Sequence, residues 1–106
     1  MSKSTDVLVF ERELFKALAN ETRLEILRML REQERCVSEL VSDLEEDQTN
    51  ISHNLRFLLR CGFVDSRRDG KRIIYKIHSR EVAEIFDLME RHMERNRDRL
   101  MRLMKE

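Results

Sequence analysis

The scarcity of residues that interrupt helices is the feature that most limits how this chain can fold. Its 106 residues include no proline and only two glycines, Gly62 and Gly70. Proline removes a helix hydrogen bond and glycine is the weakest of the other helix formers, so a chain with so few of either is expected to be mostly helical. The two glycines mark where the helical pattern ends and where the chain turns.

Apolar periodicity predicts five helices, at about residues 6–18, 20–34, 37–44, 47–61 and 79–105. Asn20, Asp47 and Ser79 stand at three of the starts, where a short polar side chain accepts an unpaired backbone N–H. Gly62 follows the fourth helix in the position that favours a left-handed conformation. The breaks between helices are therefore predicted from caps as well as from periodicity.

A change of period between the fourth and fifth helices predicts a β-hairpin over about residues 63–77. Two short strand-like runs flank Asp69-Gly70, and Asp-Gly favours a type I′ turn. In the second run one face is expected to pack and the other to stay mostly polar. The packed face is predicted to be Ile73, Tyr75 and Ile77, and the other Arg72, Ile74 and Lys76.

The order helix, helix, short helix, helix, hairpin, long helix is typical of a winged helix-turn-helix. The fold class expected is mostly α with a β-hairpin, and the chain length suits one domain over residues 1–106. In this interpretation the helix-turn-helix covers about residues 37–61 and the wing about residues 63–77. The first and last helices, at about residues 6–18 and 79–105, are long.

Charge is unevenly distributed, although the net charge is zero. Residues 1–46 carry a net charge of −4, residues 47–78 carry +4, and residues 79–106 are neutral. A neutral total argues against a non-specific polyanion binder, but the basic middle third permits a local nucleic-acid footprint. The alternative is an ordinary solvated charged face.

The fourth helix has the side chains of a base-reading helix. In a helix-turn-helix the second helix enters the DNA major groove, where amides, hydroxyls and arginine pair with base edges. Its residues predicted to be exposed and to contact DNA are Gln48, Thr49, Asn50, Ser52, His53, Asn54 and Arg56. Neither Glu nor Lys occurs between Gln48 and Arg56, although a helix built only for solubility would usually carry both. Arg60 is predicted to point at the DNA backbone.

The hairpin tip carries four more candidate DNA-contacting residues, Arg67, Arg68, Lys71 and Arg72. A basic wing beside a reading helix typically contacts phosphates or the minor groove. Alone, such a tip is equally consistent with a solvated turn.

Four segments resemble the ArsR-type family of arsenic- and metal-sensing repressors. Residues 15–27 (FKALANETRLEIL) are similar to the family's opening motif, with Glu21 where proline is usual. Residues 35–40 (RCVSEL) resemble the segment that holds its thiolate site, and residues 48–55 (QTNISHNL) resemble its reading helix. Residues 69–72 (DGKR), followed by Tyr75, resemble its wing. The resemblance covers roughly residues 10–80.

The resemblance implies a homodimer whose first and last helices form the interface. It also implies an inverted-repeat operator in double-stranded DNA, repression of transcription, and in many members release of DNA by a ligand. The last helix supports the dimer independently, because its apolar stripe exceeds what a small core needs and is rich in methionine, which packs adaptably.

The family's metal sites are each at best half present. Cys36 holds one thiolate position, but Ser38 holds the other, and a hydroxyl is a poor soft-metal ligand. Aligning His92 with the site on the last helix brings Ser79, Glu81 and Arg95 to the remaining positions. Cys61 matches a further thiolate position whose companion is Phe57. We therefore expect no metal site and no cofactor, with Cys36 and Cys61 as packed residues.

The expected function is a sequence-specific, homodimeric DNA-binding repressor. One alternative is a metal- or redox-responsive repressor using Cys36 and Cys61; another is a winged-helix protein-interaction module. No phosphate loop, nucleophile elbow or paired metal motif predicts an enzyme. Without a membrane-length apolar run, a signal-peptide pattern or a disulfide framework, a cytoplasmic protein with no membrane contact is expected.

Overall fold

The fold is a helical body carrying a three-stranded sheet, seen in a computed structural model that describes residues 3–105. The helices are α1 (Lys3–Leu18), α2 (Glu21–Glu32), α3 (Val37–Leu44), α4 (Gln48–Arg60), α5 (Arg80–Arg95) and α6 (Arg97–Lys105). The strands are β1 (Arg35–Cys36), β2 (Val64–Asp69) and β3 (Arg72–Ile77). This order confirms the predicted mostly helical fold with a β-hairpin after the fourth helix.

Three polar caps fix where the central helices begin. Asn20, Asp47 and Ser79 each accept a hydrogen bond from the backbone N–H three residues further along, at 3.0, 2.7 and 3.3 Å respectively. Each bond satisfies one of the donors that a helix start leaves unpaired. Gly62 has a φ of 78° and lies just after α4, as predicted from its position.

The core lies where α2, α3 and α4 meet the sheet. Its members are apolar and nearly inaccessible to water: Ala17, Ile26, Leu27, Leu30, Leu40, Ile51, Leu55, Leu58, Phe63 and Val64. Burying a leucine or isoleucine fully contributes about 1.5–3 kcal/mol, so this cluster holds the helix-turn-helix rigidly against α2. A stable central body results, to which α1, α5 and α6 are attached.

The sheet has the strand order β1-β3-β2 and is antiparallel throughout. The sequence did not predict β1, because two residues show no periodicity. Arg35 pairs with Tyr75 and Cys36 with Ile74, so β1 covers the free edge of β3. The predicted faces of β3 were wrong in part: Ile74 is buried at 6% exposure, opposite buried Cys36, whereas Ile73 is 43% exposed.

The hairpin turn is formed by Gly70 and Lys71 rather than by Asp69-Gly70, since Asp69 pairs with Arg72 across the ladder. Gly70 has a φ of 66°, and no positive φ occurs at Asp69 or Lys71. A positive φ at the first central residue alone is the pattern of a type II′ turn. The hairpin was predicted correctly, but its type I′ turn was not.

The predicted single helix over residues 79–105 is instead two helices that meet at Asn96. The amide of Asn96 donates a hydrogen bond of 2.9 Å to the backbone oxygen of His92, and its φ is −114°. A side chain that bonds the preceding turn competes with regular helix geometry and bends the helix.

Arg31 connects the body to α5. Its Nη2 lies 2.5 Å from Glu90 Oε1 and its Nη1 3.4 Å from Asp87 Oδ1, both on α5. The guanidinium also lies 5.0 Å from the centre of the Phe86 ring. Val82 and Phe86 pack partly against the core, so α5 is held to α2 by both ionic and apolar contacts.

The helices α1, α5 and α6 carry a broad set of exposed large apolar side chains, which we call the apolar surface. It consists of Val7, Leu8, Phe10, Leu14, Phe15, Ile85, Leu88, Met89, Met93, Met101, Leu103 and Met104. Exposed large apolar side chains in this number usually mark an interaction site. Within residues 3–105, no helix is both long enough and apolar enough to cross a bilayer.

Candidate nucleic-acid interface

The turn between α3 and α4 presents the start of α4 to solvent. Glu45 ends α3 with a φ of 53°, a left-handed conformation that is uncommon outside glycine. Asp47 then caps α4, and Gln48 and Thr49 follow as its first two residues, both exposed. The Asp47 carboxylate accepts the Asn50 N–H and complements the positive end of the α4 dipole.

One face of α4 gathers five of the predicted contact residues. Gln48, Thr49, Ser52, His53 and Arg56 together line a single open cleft of about 320 Å³. They offer an amide, two hydroxyls, an imidazole and a guanidinium, and no carboxylate. This set can donate to and accept from base edges, as a helix in a major groove must.

The other two predicted contact residues on α4, Asn50 and Asn54, point away from that face. Asn54 is only 6% exposed, and its amide donates to the backbone oxygen and to Oδ1 of Asn50, both at 2.9 Å. The amide of Asn50 donates to Glu46 Oε2 at 2.9 Å. The prediction that Asn54 is exposed was therefore wrong, and both amides are already occupied within the chain. They lie two and six positions after Gln48, on the side of α4 that faces α2.

The four basic residues of the wing are exposed but differ in their partners. Arg67 donates to Glu34 Oε2 at 2.6 Å, which partly neutralises it. Nη1 of Arg72 lies 3.8 Å from the sulfur of Cys36. Arg68 and Lys71 make no ion pair with any described side chain. Arg68 and Lys71 are thus the wing cations most available to a phosphate.

A cation–aromatic cluster beside α4 was missed by the sequence analysis. The guanidinium of Arg23, on α2, lies 4.2 Å from the centre of the Phe57 ring on α4. Arg60 lies over the same ring at 5.7 Å. Arg23 and Phe57 are far apart in sequence, so no local spacing could have paired them. The cluster therefore places two cations near the C-terminal end of α4, beside the face that lines the cleft.

Cys36 occupies the junction of β1 and α3. It is 3% exposed, and its sulfur lies 3.1 Å from Ser38 Oγ. Its backbone N–H donates to Glu39 Oε1 at 2.9 Å. That bond, with a lesser contribution from the Cys36 side chain, lowers the pKa of Glu39 below its ordinary value. The thiol thus sits in a hydrogen-bonded helix start, with a hydroxyl where the resemblance would require a second thiolate.

The remaining candidate metal ligands lie in separate places. Cys61 is half-buried and packs against the core, and both cysteines are free thiols. His92 is exposed on α5, and His78 Nδ1 pairs with Asp65 Oδ1 at 2.9 Å. In the part of the chain with described side chains, no three His, Cys, Asp or Glu residues cluster as one metal site would require.

Known proteins match this chain over the region that carries the cleft. The profile of a family described as bacterial regulatory protein, arsR family, matches residues 20–66. The transcriptional activator HlyU of Vibrio cholerae is 42% identical over 78 residues, covering 74% of this chain and 72% of that protein. The HTH-type transcriptional repressor SmtB of Mycobacterium tuberculosis is 36% identical over 80 residues, covering 76% of this chain and 59% of that protein.

A solved structure extends the similarity to the overall fold. The homodimeric winged helix-turn-helix DNA-binding domain of a possible ArsR-family regulator from Mycobacterium bovis matches with a TM-score of 0.81. It is 33% identical in sequence, and the match covers 89% of this chain and 87% of that one. The fold of the body and wing is therefore shared with a DNA-binding domain.

Proposed function

Because this chain belongs to the arsR family of bacterial regulatory proteins, we propose that it binds an inverted-repeat operator as a homodimer and, like the similar repressor SmtB, represses transcription. Membership confirms the predicted family and winged helix-turn-helix fold, and it makes the chain a transcriptional regulator rather than an enzyme. In this proposal residues 1–106 act as one domain in the cytoplasm, with α3 and α4 as the helix-turn-helix.

The carboxylate-free cleft on α4 is the observation that carries the DNA-binding proposal. Gln48, Thr49, Ser52, His53 and Arg56 line it together, and the exposed wing cations Arg68 and Lys71 follow in the next element. Base edges would meet the amide and hydroxyls, while phosphates would meet the cations. In this proposal Asn50 and Asn54 do not contact bases, because their side-chain amides are hydrogen-bonded within the chain.

The apolar surface supports the homodimer. Phe10 on α1 is 67% exposed, and Met89 on α5 is half exposed, so both leave apolar area in water in a single chain. A second copy would cover them, and the similar domain from Mycobacterium bovis is homodimeric. A twofold dimer presents two copies of α4, which requires two half-sites of opposite orientation in the DNA.

Fluorescence anisotropy of a labelled duplex from upstream of the protein's own gene tests this proposal. The protein is first bound in reduced, chelated form, and zinc, cadmium and arsenite are then added separately. We expect binding that salt weakens steeply and that all three metals leave intact, because Cys36 is accompanied by Ser38 and not by a second thiolate.

The other outcomes distinguish the alternatives. Release of the DNA by a metal, if Cys36→Ser abolishes that release, would establish the metal-sensor alternative. A metal bound at the Cys36 sulfur would lie next to Arg72 on the wing. No binding to any duplex would contradict the proposal and favour a protein-interaction module.

A further inference from the structure

Three arginines in or beside α2 each have an Nε atom that is shielded from solvent and has no hydrogen-bond partner among the described residues. They are Arg23, Arg31 and Arg35. A guanidinium keeps its charge at every accessible pH, so shielding it from water has a free-energy cost that a nearby anion offsets. Each of these three arginines is therefore expected to have a nearby anion.

Two of the three have their anions within the chain. Arg31 pairs with Asp87 and Glu90 of α5. Arg35 pairs with Glu32, at 3.5 Å, and with Asp43 on α3. Each of these guanidinium groups therefore has two carboxylates, and both arginines hold elements of the fold together.

Arg23 has no carboxylate partner among the described side chains. Its guanidinium lies over Phe57 at 4.2 Å, and among the described residues the one other charged group over that ring is a second cation, Arg60, at 5.7 Å. Aromatic stacking holds a guanidinium in place but does not neutralise it. Two cations over one ring, neither of them paired with a described carboxylate, form a site suited to an anion.

We propose that Arg23 and Arg60, positioned by Phe57, together bind one backbone phosphate of the DNA in each half-site. This inference rests on the proposed function and adds to it a contact from α2. Phe57 and Arg60 follow His53 and Arg56 by one helical turn, so the subsite flanks the base-reading face. A planar guanidinium can give a phosphate two parallel hydrogen bonds, and such contacts set the register of the reading helix.

The salt dependence of binding tests the subsite, because each phosphate contact contributes roughly 0.9 to the slope of log K against log salt. Arg23→Gln and Arg60→Gln are compared with wild type on a duplex of roughly 30 base pairs, selected from a random pool by the wild-type protein. A twofold dimer loses two contacts, so each variant is expected to lower the slope by up to about 1.8. Arg28→Gln is the matched control, since Arg28 is an exposed cation of α2 with no described ion pair.

Arg23→Lys separates phosphate binding from a merely structural role. Lysine keeps the charge but loses the planar stack, so we expect it to retain most of the wild-type slope while glutamine does not. If Arg23 only supported Phe57, both substitutions would lower affinity and neither would change the slope. Arg60 is exposed, so Arg60→Gln keeps the test valid even if Arg23→Gln folds poorly.

Neutral methylphosphonate linkages, placed singly along the duplex, locate the contact. We expect one position in each half-site at which the substitution weakens wild-type binding clearly more than it weakens Arg23→Gln binding. Unchanged slopes for Arg23→Gln and Arg60→Gln, with wild type still bound in a salt-dependent way, would overturn the subsite and leave the proposed function standing. Absence of any wild-type binding would instead overturn both.

Discussion

The surface formed by α4 and the wing and the apolar surface of α1, α5 and α6 differ in what they expose to water. On α4 and the wing the exposed side chains are mostly amides, hydroxyls, an imidazole and cations, with the carboxylate of Asp69 at the wing tip. Ile73 is the one large apolar residue described as exposed there. On the other three helices, Phe10, Phe15, Leu88 and Met104 are each more than half exposed. The first surface is suited to water as it stands, and the second leaves a large apolar area exposed, which the proposed dimer would cover.

Under the proposed function, DNA contact and assembly depend on separate parts of one small domain. The α4 helix is positioned by a core that a single chain completes, since Ile51, Leu55 and Leu58 are fully buried. In the proposed dimer, the spacing between two copies of α4 depends instead on α5, which Arg31 and Phe86 join to the body. Substitutions on the two surfaces are therefore expected to have different signatures.

The largest effect is expected from Met89→Glu on the apolar surface. Burying a carboxylate among apolar side chains costs about 2 kcal/mol or more, and a twofold dimer contains two, so the dimer dissociation constant should rise roughly 1,000-fold. Analytical ultracentrifugation measures this change. Arg91→Gln, which lowers the net charge by the same amount on the same helix, should leave the dimer intact. Equal dissociation in both variants would mean that α5 does not form the interface.

A smaller effect, confined to DNA selectivity, is expected from Gln48→Ala. An amide that pairs with one base edge discriminates by about 1–3 kcal/mol, and Gln48 is exposed, so its loss should relax base preference without lowering stability. Competition binding with single-base operator variants measures the preference. If every sequence were weakened to the same degree, Gln48 would be a phosphate contact and not a reader of bases.

Asn54→Ala should show the opposite signature, although Asn54 is on the same helix. Its two hydrogen bonds to Asn50 are buried, so removing them should lower the free energy of unfolding by about 1 kcal/mol. Denaturant titration at matched protein concentration measures this, since dimer stability depends on concentration. Base preference should match that of the wild type; an altered preference would place Asn54 at the bases after all.

The smallest effect concerns Glu39, behind the wing. The Cys36 N–H lowers the pKa of its carboxyl in the folded state, so the ionised form adds stability above the ordinary glutamate pKa. That stability is lost as pH falls through the lowered pKa. We therefore expect the stability difference between wild type and Glu39→Gln to shrink on acidification from about pH 6 to about pH 3. A difference in unfolding midpoint that stays constant over this range would contradict the assignment.

The sequence predicted the helical body well because its signals are local. Caps at Asn20, Asp47 and Ser79 act within one turn, and Gly62 adopts the positive φ that its position after α4 requires. The residues themselves indicated the wing and the reading helix, and the resemblance to a known family agreed with both. Five of the seven α4 residues predicted to contact DNA do share one cleft.

The features that sequence reasoning missed are set by distant partners. Strand β1 exists because β3 has a free edge, and Ile74 is buried because Cys36 lies opposite it. Asn54 is a polar residue whose burial depends on the amide acceptors of Asn50, which periodicity does not show. Arg23 is recognisable as a binding candidate only once Phe57 and Arg60 are placed around it.

Selection of duplexes from a random-sequence pool by the full chain tests the central claim most directly. If two copies of α4 read DNA across a dimer formed by the apolar surface, the enriched sequences should contain an inverted repeat. Its half-site centres should lie about 10.5 base pairs, or a multiple of this, apart. Enrichment of a single unrepeated site, or of no sequence above the starting pool, would contradict it.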